Sequence, residues 1–389
     1  MDNELVDGSD KLYRWAIWLL IVTSVAGMLG RIATVVATTG ETPMLSANDR
    51  SRWCTIRTLA EDNSYVIDRL VNIKHPETGR RYWKSIDMVR HRGLDGREHY
   101  YSSKPTLLPT LLAGPYWLIY HLGGVSLGEQ PFLVIRTMLV VVNVIPLLLY
   151  FIVLWKIVDR MTNDRRAALY AMAAATWGTF LTTFAVTLNN HKMAAISVAF
   201  TILLLVWIWS GERRWWVFAG AGLCSAFAAA NELPALSFLA CTLLLAFWKS
   251  PRQSLLAFMP AVAVVAAGFF GTNYLAHGTL FPAYAHRSDG TVVTSLPSAI
   301  GDSLDRQAVT SQLREAFAES NVELSDQAMI LVDQQGKRWI LWDRIGQKRY
   351  ALVANDGGAS DRQVEVRTWN NWYDYPGSYW TTARQGVDK

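Results

Sequence analysis

Seven stretches, residues 15–30, 132–155, 167–188, 193–209, 215–230, 233–248 and 254–275, are each almost free of charge. No other feature constrains the fold so tightly. A soluble core does not need such uninterrupted runs. A bilayer-spanning helix does, at about 20 mostly apolar residues each. The 389-residue chain is 51% hydrophobic and only 18% charged, as a polytopic membrane protein requires. Its formal net charge of +5 does not point to nucleic acid, because the positive residues lie between apolar runs and not in a basic tail. Cys54, Cys224 and Cys241 show neither metal-ligand nor disulfide spacing. The first run follows "MDNELVDGSDKLYR", acidic as well as basic, which predicts an uncleaved signal-anchor helix.

Orientation follows from the loops, since short loops rich in Lys and Arg stay in the cytoplasm. Lys156, Arg160, Arg165 and Arg166 fall in one connection, Arg213 and Arg214 in another, Lys249 and Arg252 in a third. The alternate turns are nearly free of positive charge, with only Lys192 in "VTLNNHKM" and none in "AANELPA". This alternation predicts a multi-pass protein of the cytoplasmic membrane. Its N-terminus lies inside, and residues 40–131 form a first outer loop. Residues 105–122, "PTLLPTLLAGPYWLIYHL", would reverse every later loop if they crossed. Three prolines and a glycine make a poor straight helix, so this segment is expected to be juxtamembrane or re-entrant on the outer side. The predicted fold class is an all-α polytopic membrane bundle of about seven spans, over residues 1–275. A small mixed α/β extracytoplasmic tail follows, residues 276–389. In it "SLDRQAVTSQLREAFAES" reads as an amphipathic helix, and residues 327–356 alternate as strands do.

The outer ends of these segments carry polar groups that a passive membrane protein does not need. Asp49 and Arg52 stand in "SANDRSRWCTIRTLAED", Lys104 in "YYSSKP", Asn189, Asn190 and His191 in "TLNNHK", and Asn231 and Glu232 in "NELP". Arg136 lies near the outer start of the second span. Ionisable groups near a bilayer are costly and point to function. A lysine or arginine there would hold a lipid phosphate, and a carboxylate would take a proton from an attacking hydroxyl. The plainer reading makes Asp49 a helix cap or a partner of Arg52. It makes Lys104 an interfacial anchor, and places Arg57, Glu61 and Asp62 on a solvated helix face. The aromatic stretch "TWNNWYDYPGSYW", residues 368–380, is read first as local packing of the tail and second as a carbohydrate platform. No Walker loop, HExxH, G-x-S-x-G or CxxC is present. His75, His91 and His99 lack ligand spacing; the sequence identifies no certain cofactor, and a divalent metal stays open but unsupported.

The succession "NDRSRWCTIRTLAEDNSYVID", "YYSSKPTLLPTLLAGPYWLIYHL" and an Arg-bearing second span resembles the GT-C membrane glycosyltransferases. The likeness is to the branch of protein O-mannosyltransferases and lipid A aminoarabinose transferases. It covers residues 12–170 best. Thr106 stands where the family's "KPPL" motif usually has its second proline. The resemblance implies transfer of a sugar from a polyprenyl-phosphate donor to a lipid, glycan or protein acceptor outside the cytoplasm. It makes Asp49 the general base and places Lys104, and less strongly Arg52, near the donor phosphate. Asn189, Asn190 and His191 occupy the place of a second acidic residue, and Glu232 is the substitute carboxylate. Family members commonly carry further spans, so the chain is expected to be a truncated form. The competing expectation is a transporter or a non-catalytic subunit that binds lipid-linked sugars. A transporter would place its polar residues at mid-membrane, often in repeats with broken helices.

Overall fold

The computed structural model describes residues 2–38, 40–287, 289–297, 306–320, 322–332, 338–343, 348–355, 363–373, 375 and 378. The chain divides into two compact units, Met1–Pro282 and Ala283–Lys389.

The first unit is mainly helical. Five helices are long and apolar enough to cross a membrane. They lie within α1 (Asp2–Thr34, from Asp10), α4 (Pro131–Met161), α5 (Arg165–Val186), α6 (Asn190–Trp209) and α9 (Pro251–His277). The other two apolar runs form α7 (Trp215–Asn231) and α8 (Ala235–Lys249). With 15 residues, α8 rises only about 22 Å, against a hydrocarbon core of about 30 Å. Its length is set by its flanks: Pro234 caps it, and the chain turns at Ser250 before Pro251. Five membrane-length helices and two shorter ones thus stand where about seven spans were expected.

Side-chain contacts sort the helix ends into two groups. At one end Tyr13 donates to Asp159 at 2.6 Å and Arg165 pairs with Asp10. At the other, Thr106 donates to Thr272 at 2.9 Å and His91 meets His277 at 3.0 Å. Neither α4 nor α5 is a plain helix. Residues Val140–Val144 widen α4 into a π-turn. The first part of α5 ends at Trp177, where the Gly178 N–H bonds to Ala174 O. A Cβ on Gly178 would lie only 2.8 Å from that oxygen, so glycine permits the stop. Asn143 in the π-turn donates to the carbonyls of Ala185 and Thr187, both at 2.8 Å. It satisfies backbone that the broken α5 leaves without helical partners.

The segment expected as a long outer loop is folded. It holds α2 (Ala47–Asp62), a hairpin of β1 (Met88–Arg92) and β2 (Glu98–Ser102), and α3 (Leu107–Gly123). α2 begins because Ser46 Oγ accepts from the Asp49 N–H at 3.1 Å. It stops at Asn63, which takes the left-handed conformation at φ 50°. α3 packs along α2. Arg57 and Glu61 do not lie on a solvated face, as expected: Arg57 is buried, the Glu61 side chain is largely covered, and Asp62 is exposed. Arg57 bonds Glu61 at 3.0 Å, sits 4.8 Å from the Trp83 ring centre and lies over Gly128, where a Cβ would displace its guanidinium. Tyr116 of α3 donates to Glu61 at 2.6 Å and accepts from the Leu127 N–H at 2.7 Å.

The second unit is a five-stranded antiparallel sheet. Its strands are β3 (Val292–Pro297), β4 (Met329–Val332), β5 (Arg338–Asp343), β6 (Lys348–Asn355) and β7 (Gln363–Thr368), in the order β3-β7-β6-β5-β4. Leu313 and Phe317 of α10 (Arg306–Glu319) pack with Leu341, Tyr350, Leu352, Val364 and Val366 in its core. Within the aromatic stretch, Trp372 stacks on His286 at 3.7 Å and Tyr373 lies under Arg287 at 4.6 Å. These rings already have local partners. The residues after 378 lie outside the described part.

Candidate functional site

Asp49 and Arg52 are one turn apart on α2, and both reach the connection between α5 and α6. Asp49 Oδ1 accepts from the Leu188 N–H at 3.0 Å and from Trp53 Nε1 at 2.8 Å. Its Oδ2 accepts from the Leu45 N–H at 3.3 Å. Arg52 Nη1 donates to Leu188 O at 3.2 Å and to Asn48 O at 3.1 Å. The acid and the arginine therefore grip the two sides of one residue's backbone. Asp49 is 1% exposed, and burial raises its pKa to about 6, against the lowering effect of its hydrogen bonds and of Arg52. Burial likewise lowers Arg52 to about 10, opposed by the charges of Asp49, Asp87 and Glu232.

Those three carboxylates connect the rest of the cluster. Lys104 donates to Asp87 Oδ1 at 3.0 Å, with both side chains partly exposed. Ser51 holds the Asp87 carbonyl at 2.5 Å and lies 2.6 Å from Ser102 Oγ, so α2 itself positions the Asp87 loop. Glu232, just after α7, pairs with His191 Nδ1 at 2.6 Å. Asn190 Nδ2 donates to Asn231 O at 3.4 Å. Asp49, Arg52, Lys104, Asn190, His191 and Glu232 thus belong to one end of the bundle, drawn from α2, the hairpin exit, the α6 start and the α7 end. Arg136 does not join them: it donates to Val35 O at 3.0 Å and lies over Phe132.

Two members were not singled out from sequence. Asp87, in "WKSIDMVR", carries no motif and is found only through Lys104. Lys192 did leave a signal, as a charge opening an otherwise apolar helix. It is 1% exposed, and its Nζ has no hydrogen-bond partner among the described residues. Arg52 Nε, Asn190 Oδ1 and Asn231 Oδ1 are also buried without partners there. Among the described residues no group of three or more His, Cys, Asp or Glu is placed to hold a metal ion. His91 pairs with His277, and His99 lies between Asp68 and Asp95.

At the opposite end a cleft of about 540 Å³ is lined by Arg160, Trp207, Glu212, Arg214 and Trp216, among others. Arg214 and Glu212 pair at 2.5 Å. The buried unsatisfied groups just described belong to the Asp49 end and not to this cleft. Comparison with family models, curated proteins and solved structures returned no match for this chain.

Proposed function

We propose that the chain is an integral membrane glycosyltransferase of the GT-C type. It moves a sugar from a polyprenyl-phosphate donor to an acceptor on the extracytoplasmic side, with all seven apolar helices crossing and the bilayer thinning around the two shorter ones. The observation that carries this reading is the gathering of Asp49, Asp87, Glu232, Arg52 and Lys104 at one end of the bundle. A phosphate-linked donor needs cations for its leaving group and a carboxylate for the attacking hydroxyl. Asp49 has the proton affinity of a base working near neutral pH. Its access comes through Oδ2, whose bond from Leu45 at 3.3 Å is the longest of the three it accepts. Release of the 45–46 turn would free that oxygen and leave Oδ1 anchored. Lys104 serves the donor phosphate by exchanging its bond to Asp87.

The test is transfer from radiolabelled polyprenyl-phosphate sugars by the purified full chain. Asp49→Asn should abolish transfer yet insert and fold normally, and a fully active variant would sink the base assignment. Lys104→Glu should weaken donor binding; unchanged affinity would count against its role. The double grip of Asp49 and Arg52 on Leu188 favours a second reading, a non-catalytic binder of lipid-linked sugars. In that case Asp49→Asn changes stability, and no donor yields transfer by the wild type.

A further inference from the structure

We infer that Lys192 is the centre of a phosphate-binding site at the start of α6, with a phosphate ester as its counter-charge. Lys192 lies in the first turn of a 20-residue helix, buried, its ammonium without a hydrogen-bond acceptor among the described residues. Two costs fall on it. An ammonium removed from water without a partner is strongly disfavoured. A cation at a helix N-terminus also opposes the helix dipole, which favours negative charge there. The same position offers backbone donors. A helix start leaves four N–H groups without intrahelical acceptors, and Asn189 Oδ1 takes only that of His191, at 2.9 Å. An anion at this point would remove both costs together.

The neighbouring groups narrow its chemistry. Arg52, tied to Leu188 just before α6, keeps a buried Nε without a partner among the described residues. Asn190 and Asn231, tied to each other, likewise each keep a buried Oδ1 without a partner among those residues. Cationic donors and neutral acceptors are therefore left over along the segments that meet at residues 188–192 and 231. A phosphate ester of a hydroxylated group satisfies both kinds, its phosphate oxygens serving Lys192 and the first-turn N–H groups and its hydroxyls reaching the amide oxygens. The anion site stands on these groups alone. Its use for a lipid-linked sugar donor rests on the proposed transferase reading.

The experiment uses the full chain in detergent micelles. Tryptophan fluorescence follows thermal melting with farnesyl phosphate, inorganic phosphate or uncharged farnesol. Farnesyl phosphate should raise the melting temperature and farnesol should not. Lys192→Met should raise the ligand-free melting temperature and weaken farnesyl phosphate binding by about 10- to 100-fold, the loss of one charged hydrogen bond. Lys192→Arg should retain most of the affinity and Lys192→Gln little, which keeps the test open if the Met variant misfolds. Competition by inorganic phosphate supports a site for the headgroup alone; its failure to compete supports one that also requires the lipid. Undiminished binding in both the Met and Gln variants, or a lowered ligand-free melting temperature in both, overturns the proposal. Binding that depends on Lys192 without transfer from any donor would overturn the transferase and leave this site standing. Transfer and binding that both ignore Lys192 would do the reverse.

Discussion

Asp49→Asn also reads the buried carboxylate through stability. The folded pKa is about 6, against 3.8 for the free side chain. The native state therefore keeps a proton that the unfolded chain releases between those values. Asp49's contribution is fully present below about pH 4, falls as pH rises and is lost above about pH 6. A rise of roughly two pKa units corresponds to about 3 kcal/mol. Asparagine keeps an oxygen for Leu188 and Trp53 but loses the 3.3 Å bond from Leu45, a cost of about 1 kcal/mol. Near pH 7 the variant should exceed the wild type by about 2 kcal/mol, and the order should reverse near pH 4. SDS unfolding of both proteins at pH 4, 5, 6 and 7 provides the assay, because all other titrating groups cancel in the difference. A difference that stays flat, or a variant less stable at every pH, would mean that the charge of Arg52 and the hydrogen bonds to Asp49 outweigh burial. The reasoning would then fail.

Two further substitutions probe the surroundings. Tyr116→Phe strips Glu61 and the Leu127 N–H of a shared partner and should cost about 1–3 kcal/mol, measured by the same unfolding; no loss would mean that water replaces the hydroxyl. Asn143→Leu leaves the Ala185 and Thr187 carbonyls without their donor and should destabilise by about 1–3 kcal/mol for each group left unsatisfied. Faster hydrogen exchange confined to residues 178–189 would accompany it, and unchanged exchange would refute the link.

The membrane character was legible because runs such as 132–155 leave no other use for their side chains. The polar turns were legible because Asn189–His191 and Asn231–Glu232 interrupt apolar sequence at its ends. Burial of Arg57 and Glu61 was not legible, since Trp83, Tyr116 and Gly128 enclose them from three separate later segments. Read along α2 alone, a charge spaced at i,i+4 looks like solvent exposure. The short α8 was hidden for another reason. Hydropathy counts residues, whereas Pro234 and the Ser250 turn fix where the helix stops. Lys192 was visible as a charge, but its lack of a counter-ion among the described residues is a fact of three dimensions.

The wide turn at Val140–Val144 also changes how α4 is read as a pattern. A π-turn absorbs one residue beyond an α-helical turn, and each residue of an α-helix advances about 100°. A helical wheel drawn continuously through Pro131–Met161 therefore slips by about that angle at the middle of the helix. Residues on one stripe before Val140 continue on a different stripe after Val144. The two halves behave as separate helices sharing an axis, each free to select its own neighbours. A one-residue deletion within the wide turn would restore a regular helix and leave both outer halves in place, whereas the same deletion elsewhere in α4 would turn one half away from its partners.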